Sequence, residues 1–237
     1  MRIHADTSAL NRSVDELRGQ LETTAGELAA QMHIRDPTLR QKVAILASRE
    51  GACLEDLLNK RRAGELACEI SLVASDLPDL APLAAQAGVP FHHLPIAPGH
   101  EPAQEQQLIE LLERSGIDLV VLARYMKVLS PSFIEAFDER VINIHHGFLP
   151  AFKGSRPYHQ AWEAGVKIIG ATAHFATAEL DAGPIIAQDV MPVTHQHTVD
   201  QMIRAGRDIE RRVLSRAVQA YLDHKIILRD RRTIIFH

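Results

Sequence analysis

From Lys42 onwards, short apolar runs rich in Val and Ile alternate with segments of helical character, and this alternation limits the possible folds most strongly. Six runs read as strands: KVAILAS, CEISLVAS, PFHHLP, DLVVLAR, VINIHH and KIIGATAHF. The pattern predicts helices between the first four, around 54–66, 80–86 and 105–113. Short strands that are separated by helices imply an α/β fold, with a parallel sheet covered on both faces. Such sheets bind ligands at the carboxyl ends of their strands.

The two ends of the chain have a different character. Residues 1–37 predict a short strand, an amphipathic helix and another strand, and the helix carries an apolar stripe at intervals of three and four residues: Leu17, Leu21, Ala25 and Leu28. Three elements cannot easily enclose a core, so we expect a small appended segment at 1–37 and a main domain at 38–237, joined at Asp36-Pro37. Near the carboxyl end, 199–223 predicts a long helix, and IILRDRRTIIF predicts a hairpin with a charged turn.

Composition and charge narrow the class of partner. The 237 residues carry 26 basic and 30 acidic side chains, a net charge of -4, and no concentrated basic face, which favours a small-molecule ligand over nucleic acid. The first residues lack the apolar core of a signal peptide, and no apolar stretch approaches a membrane span, so we expect a cytoplasmic protein with no membrane partner. Cys53 and Cys68 form no CxxC pair, and we expect two buried or semi-buried thiols.

The run VINIHHGFLPAFKGSRPYHQAW combines histidines, an asparagine, prolines and glycines where the fifth strand would end. Side chains alternate along a strand, so Asn143 and His145 should share one face, with Ile144 and His146 on the other. An amide can donate to an oxyanion, and an imidazole can move protons at neutral pH, which together suit acyl transfer. The alternative is that Asn143 merely ends a strand and His145 is a hydrogen-bonded histidine at its tip.

Asp181 follows the sixth strand and stands just before Ala182-Gly183-Pro184. An aspartate close to a glycine is ordinarily a turn residue. If the neighbouring strand ends bring Asp181 close to His145, however, its carboxylate can fix the imidazole or hold a water molecule in line. The sequence does not contain that distance, so both interpretations stay open.

The segments NIHHGFLPAFKG, IGATAHF and LDAGPII resemble the folate-dependent formyltransferase family, whose hallmark is Asn-x-His in a loop ending LLPxxxG and an Asp about 36 residues further on. Asn143, His145 and Asp181 occupy those positions. Within the family, SREGACLEDLL, DLVVLARYMKVLSPSF and GRDIERRVLSRAV are most similar to the deformylase members, which hydrolyse 10-formyltetrahydrofolate. The likeness runs from about Lys42 to Phe236.

The resemblance implies a Rossmann-like formyltransferase fold, preceded by an ACT-like βαβ segment of which the chain keeps only the last strand, helix and strand. It implies a folate substrate, no prosthetic group and a role in one-carbon metabolism that supplies formate for purine biosynthesis. It also implies that five residues wall the pteridine pocket: Leu122, Met126, Lys127, Val128 and Leu129. Backbone groups of the loop 177–181, which includes Thr177 and Leu180, are then expected to read the pterin ring. Separately, the apolar stripe and strand edges of residues 1–37 would be left unpaired in a monomer, so we expect a homo-oligomer, a dimer or tetramer. The run ARYMKVLS could be only an apolar strand exit, although Arg124 and Lys127 look exposed there.

Several features bear on the reaction. Ser48-Arg49-Glu50-Gly51 contains one glycine, so it lacks a dinucleotide motif and is a poor phosphate cradle. His92 and His93 point to opposite faces of a strand, and with no HExxH-type spacing we expect no metal.

The chain departs from the family at two positions beside the site. Gly147 stands where the family usually has Ser, and Ala52 stands where a His is frequent, so the rate or the acceptor could differ from the family's. Two alternatives therefore remain: a formyltransferase acting on an amine such as glycinamide ribonucleotide or a sugar nucleotide, and an inactive folate-binding or regulatory protein.

Overall fold

The computed structural model describes residues 3, 5–7, 9–30, 32, 34, 39–97, 99, 101–152, 154 and 156–236. It divides into two compact units, of which the first comprises residues 1–39 with Phe236 and the second residues 40–235. The second unit holds all the strands that the described residues form.

The first unit contains one described helix, α1 (Val14–Glu27). Ser13 and Glu16 form a capping box at its start, in which each side chain accepts a hydrogen bond from the other residue's backbone N–H. Of the predicted apolar stripe, Ala25 is buried, whereas Leu21 and Leu28 are exposed. The two strands predicted beside this helix lie mostly outside the described residues, so the ACT-like character of the segment stays a prediction.

The second unit is built on a seven-stranded sheet with the order β3-β2-β1-β4-β5-β6-β7. Its strands are β1 (Gln41–Leu46), β2 (Cys68–Ser75), β3 (Phe91–His93), β4 (Leu119–Leu122), β5 (Val141–His145), β6 (Ile168–Phe175) and β7 (Ile185–Pro192). The four pairings among β1 to β5 are parallel, and β6 and β7 add antiparallel strands at one edge. The predicted, mostly parallel sheet is confirmed.

Helices cover both faces of this sheet, as predicted. They are α2 (Ala52–Ala63), α3 (Ala81–Gln86), α4 (Glu101–Arg114), α5 (Pro131–Ala136), α6 (Pro157–Glu163) and α7 (Val199–Leu222). Apolar residues of α2, α3 and α7 form one core with the sheet, and those of α4 and α5 form a second core on the opposite face. A hairpin of β8 (Ile226–Arg229) and β9 (Arg232–Ile235) follows α7, at the place where the sequence predicts it.

Strand β4 shows why the apolar runs become central strands. All four of its residues are buried; Leu119 and Val121 enter the first core, while Val120 and Leu122 enter the second. Burial of one such side chain contributes roughly 1.5–3 kcal/mol, so a strand that is apolar on both faces is most stable between two helical layers.

The order of the strands reverses between β1 and β4. The segments that follow these two strands lead away in opposite directions and leave a crevice at the carboxyl ends of the strands. The loops beyond these two strands are joined, because Ser48 N–H donates to Arg124 O at 3.3 Å and Ser48 Oγ accepts from Met126 N–H at 3.2 Å. Ser48 Oγ also donates to Asp76 Oδ1 at 2.7 Å. The segment after β4 is thereby held over the carboxyl ends of the strands.

Strand β7 and the short helices α5 and α6 were not predicted. β7 carries partly exposed Gln188 and Asp189 within an apolar run, so it lacks the pattern of a buried strand. β6 is antiparallel to both β5 and β7, and its register with β5 places Phe175, at the end of β6, beside Ile142 near the start of β5. The β6–β7 loop must therefore fold back over the sheet to reach the end of β5.

Candidate active site

His145 is the last residue of β5 and is buried. Its Nδ1 lies 3.3 Å from Asp181 Oδ2, and its Nε2 lies 3.0 Å from the carbonyl oxygen of Phe152. Both partners are acceptors, so the imidazole satisfies them fully when both of its nitrogens carry a proton. A Cβ at Gly147 would come within 2.8 Å of His145 Nε2. Glycine at this position thus leaves room for this orientation of the ring.

The loop that supplies Asp181 depends on a close backbone approach. Phe175 N–H donates to Pro184 O at 2.9 Å and closes the loop at its base. A Cβ at Gly183 would lie 1.8 Å from Phe175 O, so only glycine fits between the two ends. Asp181 itself has a positive φ of 53°. This local geometry turns its carboxylate towards the end of β5.

Asp181 is a buried carboxylate with several partners. Besides His145, it accepts a hydrogen bond from Gly154 N–H at 3.1 Å, and its Oδ1 lies 3.9 Å from His174 Nε2. Burial alone would raise the pKa of Asp181, but the interactions with His145, Gly154 and His174 outweigh burial and lower that pKa below its ordinary value. The site therefore favours the ionised carboxylate, which can orient an imidazole or a water molecule.

Asn143 lies two residues before His145 on β5, and its amide is paired with His174, which was not predicted to be part of the site. Asn143 Nδ2 lies 3.1 Å from His174 Nε2, and His174 Nδ1 lies 2.8 Å from Phe175 O. Burial lowers the pKa of His174, so its ring is neutral. Because a carbonyl oxygen only accepts, Nδ1 carries the proton, and Nε2 accepts from the Asn143 amide. The register that pairs Asn143 with His174 across β5 and β6 was the signal that could have found it.

One cavity of about 200 Å³ lies at the carboxyl ends of β4 and β5, and we call it the β4–β5 cavity. The three predicted catalytic residues line it, and so do all seven residues predicted to bind the folate. The remaining lining comes from Arg124, Tyr125, Ile134, Ile144, His146, Gly154, His174, Ala176 and Ala178. Side chains separated by almost 60 positions in the chain therefore meet around one space.

The rim of this cavity is apolar and open. Met126, Val128 and Leu180 are 56%, 72% and 55% exposed, although large apolar side chains usually avoid water. Lys127 is also partly exposed and forms an ion pair with Asp76 at 3.2 Å. An exposed apolar rim beside a polar interior suits a ligand with an aromatic part.

Two expectations about side chains near the cavity are wrong. Arg124 is not exposed; its side chain is 17% accessible, and its Nε lies 3.6 Å from Glu210 Oε2. His146 does not point away from His145, because β5 ends at His145 and the alternation stops there. The two rings are 5.4 Å apart between centroids, and both line the cavity.

Other candidate chemistries find little support among the described residues. Cys53 and Cys68 are buried, as expected, and burial raises the pKa of their thiols to about 12 and about 11, respectively. Neither thiol is therefore a ready nucleophile. In the described part of the chain, His, Cys, Asp and Glu side chains form no group of three that could hold a metal ion.

No described helix is both long enough and apolar enough to cross a membrane.

Comparison with known proteins gives the class to which this fold and site belong. The family model described as formyl transferase matches residues 41–218, which span the whole seven-stranded sheet and most of α7. The chain belongs to the formyl transferase family.

Two of its relatives, at 49% and 40% identity, are formyltetrahydrofolate deformylases, and a third, at 32%, is a transformylase. The chain is 49% identical over 221 residues to a formyltetrahydrofolate deformylase of Synechocystis sp., which covers 93% of the chain and 78% of that protein. The crystal structure of a formyltetrahydrofolate deformylase from Pseudomonas syringae pv. tomato matches 98% of the chain and 78% of its own, with a TM-score of 0.95 and 40% identity. A glycinamide ribonucleotide transformylase from Symbiobacterium toebii is more distant, with a TM-score of 0.81, 32% identity and coverage of 87% and 98%.

Proposed function

We propose that this protein hydrolyses 10-formyltetrahydrofolate to formate and tetrahydrofolate. The observation that carries the proposal is the meeting of an amide, an imidazole and an ionised carboxylate in the β4–β5 cavity, beneath an open apolar rim. The names of the relatives agree with it, since the Synechocystis and Pseudomonas proteins are both formyltetrahydrofolate deformylases. No prosthetic group is needed, because the folate is the substrate.

In the proposed mechanism, water attacks the formyl carbon while Asn143 stabilises the oxyanion. The bond from its Nδ2 to His174 fixes the amide, so one donor is committed to the histidine and the second amide proton is available to the substrate. Asp181 positions the water and supports a charged His145, which protonates N10 as tetrahydrofolate leaves. The two acceptors beside the His145 ring fix its orientation.

Recognition of the folate is proposed for the rest of the lining. The volume of about 200 Å³ is below the roughly 300–1,000 Å³ of pockets that enclose a whole ligand, so only the pteridine and formyl groups would be enclosed. The apolar rim would then contact the aromatic ring that follows the pteridine in the folate. The residues proposed for these contacts are Leu122, Met126, Lys127, Val128, Leu129, Thr177 and Leu180.

Formyl transfer to an amine is the competing reaction, because a transformylase shares the fold. A ribonucleotide acceptor requires a phosphate site, normally formed by several free backbone amides. In the loop after β1, the Ser48 hydroxyl donates a hydrogen bond to Asp76. The carboxylate of Glu50, in the same loop, forms an ion pair with Arg207 at 2.9 Å. A carboxylate at this place disfavours a phosphate, which supports water as the acceptor.

Product assays on the purified protein distinguish hydrolysis from formyl transfer to an amine. With 10-formyltetrahydrofolate and no amine, we expect formate and tetrahydrofolate in equal amounts, and no change in rate when glycinamide ribonucleotide is added. Product that appears only after an amine is supplied would establish the transferase instead. Folate binding without any product would establish the inactive binding protein.

Finer assignments are also proposed. We infer a cytoplasmic homo-oligomer, dimer or tetramer, whose formate supports purine biosynthesis, with residues 1–37 as an ACT-like segment. Exposed Leu21 and Leu28 on one side of α1 support association, since a monomer leaves them in water. Light scattering should give a mass above that of a monomer, and a monomer mass at all concentrations would contradict this. If the segment has lost its ligand pocket, glycine or methionine should leave activity unchanged.

A further inference from the structure

Three histidines line the β4–β5 cavity, but only one of them is free to bind a small molecule. Each ring nitrogen of His145 and of His174 already has a polar protein partner within 3.3 Å. His146 has no hydrogen-bond partner among the described residues, and neither of its ring nitrogens is fully buried. A polar group of this kind in a cavity is available for ligand or water.

The protonation state of His146 leaves it a hydrogen-bond acceptor. Burial, the positive charge of Arg124 and the nearby His145 lower the pKa of His146 to about 3, against a smaller opposite effect of Asp181. The ring is therefore neutral at physiological pH, with a proton on one nitrogen and a lone pair on the other.

A rigid group of side chains packs against His146. The ring of Tyr158 lies 6.0 Å from that of His146 between centroids, and the Tyr158 hydroxyl donates to Glu210 Oε1 at 2.8 Å. Glu210 is also the partner of Arg124. A Cβ at Gly206 would lie 2.0 Å from Tyr158 Oη, so the tyrosine reaches Glu210 only because α7 has a glycine there. These contacts hold the surroundings of His146 in place.

A water molecule that attacks a carbonyl carbon must point a lone pair at it, so both of its protons should be directed at acceptors. Asp181 is one acceptor, and among the histidines of the cavity only His146 has a free lone pair. We propose that His146 accepts the second proton of the attacking water in a hydrogen bond and so selects water as the formyl acceptor. This inference rests on the hydrolysis proposed above and adds a residue that binds the nucleophile.

The atoms balance without a further reactant. The water oxygen bonds to the formyl carbon, and the bond from that carbon to N10 breaks, with its electron pair going to N10. One water proton passes to Asp181, and N10 receives a proton from His145, so that pair of residues keeps its total number of protons. The second water proton stays on the product as formic acid, which ionises to formate in solvent. His146 gains and loses no proton.

Competition between nucleophiles tests the role of His146 independently of folding or folate binding. The full chain is incubated with 10-formyltetrahydrofolate and hydroxylamine, and formate and formohydroxamate are measured together. In His146→Ala, formate release should fall at least about tenfold at unchanged KM, while hydroxamate formation falls less, so the ratio of hydroxamate to formate rises. The exposed His93→Ala on β3 is the matched control and should keep the wild-type ratio.

An unchanged ratio in His146→Ala would overturn the proposal, because loss of structure or of folate binding reduces both products equally. If hydroxylamine fails to enter the site in either protein, the variants His146→Asn and His146→Gln decide. Each keeps an acceptor, so one of them should regain part of the turnover, and equal loss in all three variants would contradict the role. If the wild-type protein releases no formate in water, the proposed hydrolysis fails instead, and the two failures are distinguishable.

Discussion

The β4–β5 cavity has two regions of opposite character. The catalytic wall, which consists of Asn143, His145, His174 and Asp181, is largely buried and held by polar contacts within about 4 Å. The apolar rim, which consists of Met126, Val128 and Leu180, is more than half exposed. A single cavity therefore combines polar side chains in fixed positions with exposed apolar side chains that can contact a ligand.

This difference predicts different consequences of mutation. Polar groups in fixed positions stabilise charge that develops in the transition state, so their loss should lower turnover. Exposed apolar side chains gain from contact with the ligand in ground state and transition state alike, so their loss should raise KM. Substitutions in the two regions test that division of roles.

The largest effect is expected at the imidazole and the carboxylate. His145→Ala and Asp181→Ala should each lower kcat by at least about a hundredfold, within the roughly 10²–10⁴ range for a general acid or base, with folate affinity nearly intact. Steady-state kinetics and folate titration measure the two quantities. Glu179→Ala is the matched control, because this exposed carboxylate lies in the same loop but does not line the cavity. Near-normal turnover in either catalytic variant would refute the proposed roles.

Asn143→Ala should follow, with a loss of about 10²–10³ in kcat, because one oxyanion donor disappears. Its effect should fall on kcat and on kcat/KM alike. A higher KM at unchanged kcat would move Asn143 from transition-state stabilisation to ordinary ligand binding, and the division between wall and rim would fail at this residue.

Changes at the rim should be smaller. Met126→Ser, Val128→Ser and Leu180→Ser should each raise KM roughly three- to tenfold at unchanged kcat, since each removes on the order of 1 kcal/mol of apolar contact. Ile227→Ser on β8 provides the control, as a partly exposed apolar residue outside the cavity. A tenfold fall of kcat in a rim variant would show that the rim also shapes the transition state.

The smallest effect concerns acid stability. The pKa of Asp181 is lower in the folded protein than in the unfolded chain, so its contribution to the free energy of unfolding is complete above the unfolded pKa of about 3.9. That contribution is lost as the pH falls through the folded pKa. Urea unfolding at pH 7 and pH 3 should therefore show a smaller loss of stability on acidification for Asp181→Asn than for the wild type. A larger loss in the variant would contradict the assigned direction.

The sequence predicts the central sheet well because its strands are apolar on both faces. β4 is buried along its whole length, and this environment produces the continuous Val and Leu run that identified it. β7 was missed because it lies at the sheet edge, where polar Gln188 and Asp189 are tolerated. Local pattern thus identifies elements with strong burial and misses those whose position depends on pairing.

The site divides in the same way. Asn143, His145 and Asp181 could be selected from residue type and resemblance, but their distances depend on the loop that Gly183 closes against Phe175. His174 could not be selected, because its contact with Asn143 follows from antiparallel register across two strands. Alternation also failed at His146, since a strand's periodicity says nothing about the residue after its end.

The central claim is that water is the formyl acceptor in this cavity, and the origin of the oxygen in the product tests it most directly. In water enriched in oxygen-18 and without any amine, mass spectrometry should find one labelled oxygen in each formate molecule, together with an equal amount of tetrahydrofolate. His145→Ala should reduce the labelled product by at least about a hundredfold. Formate without the label, or tetrahydrofolate that forms only when an amine is present, would contradict the account.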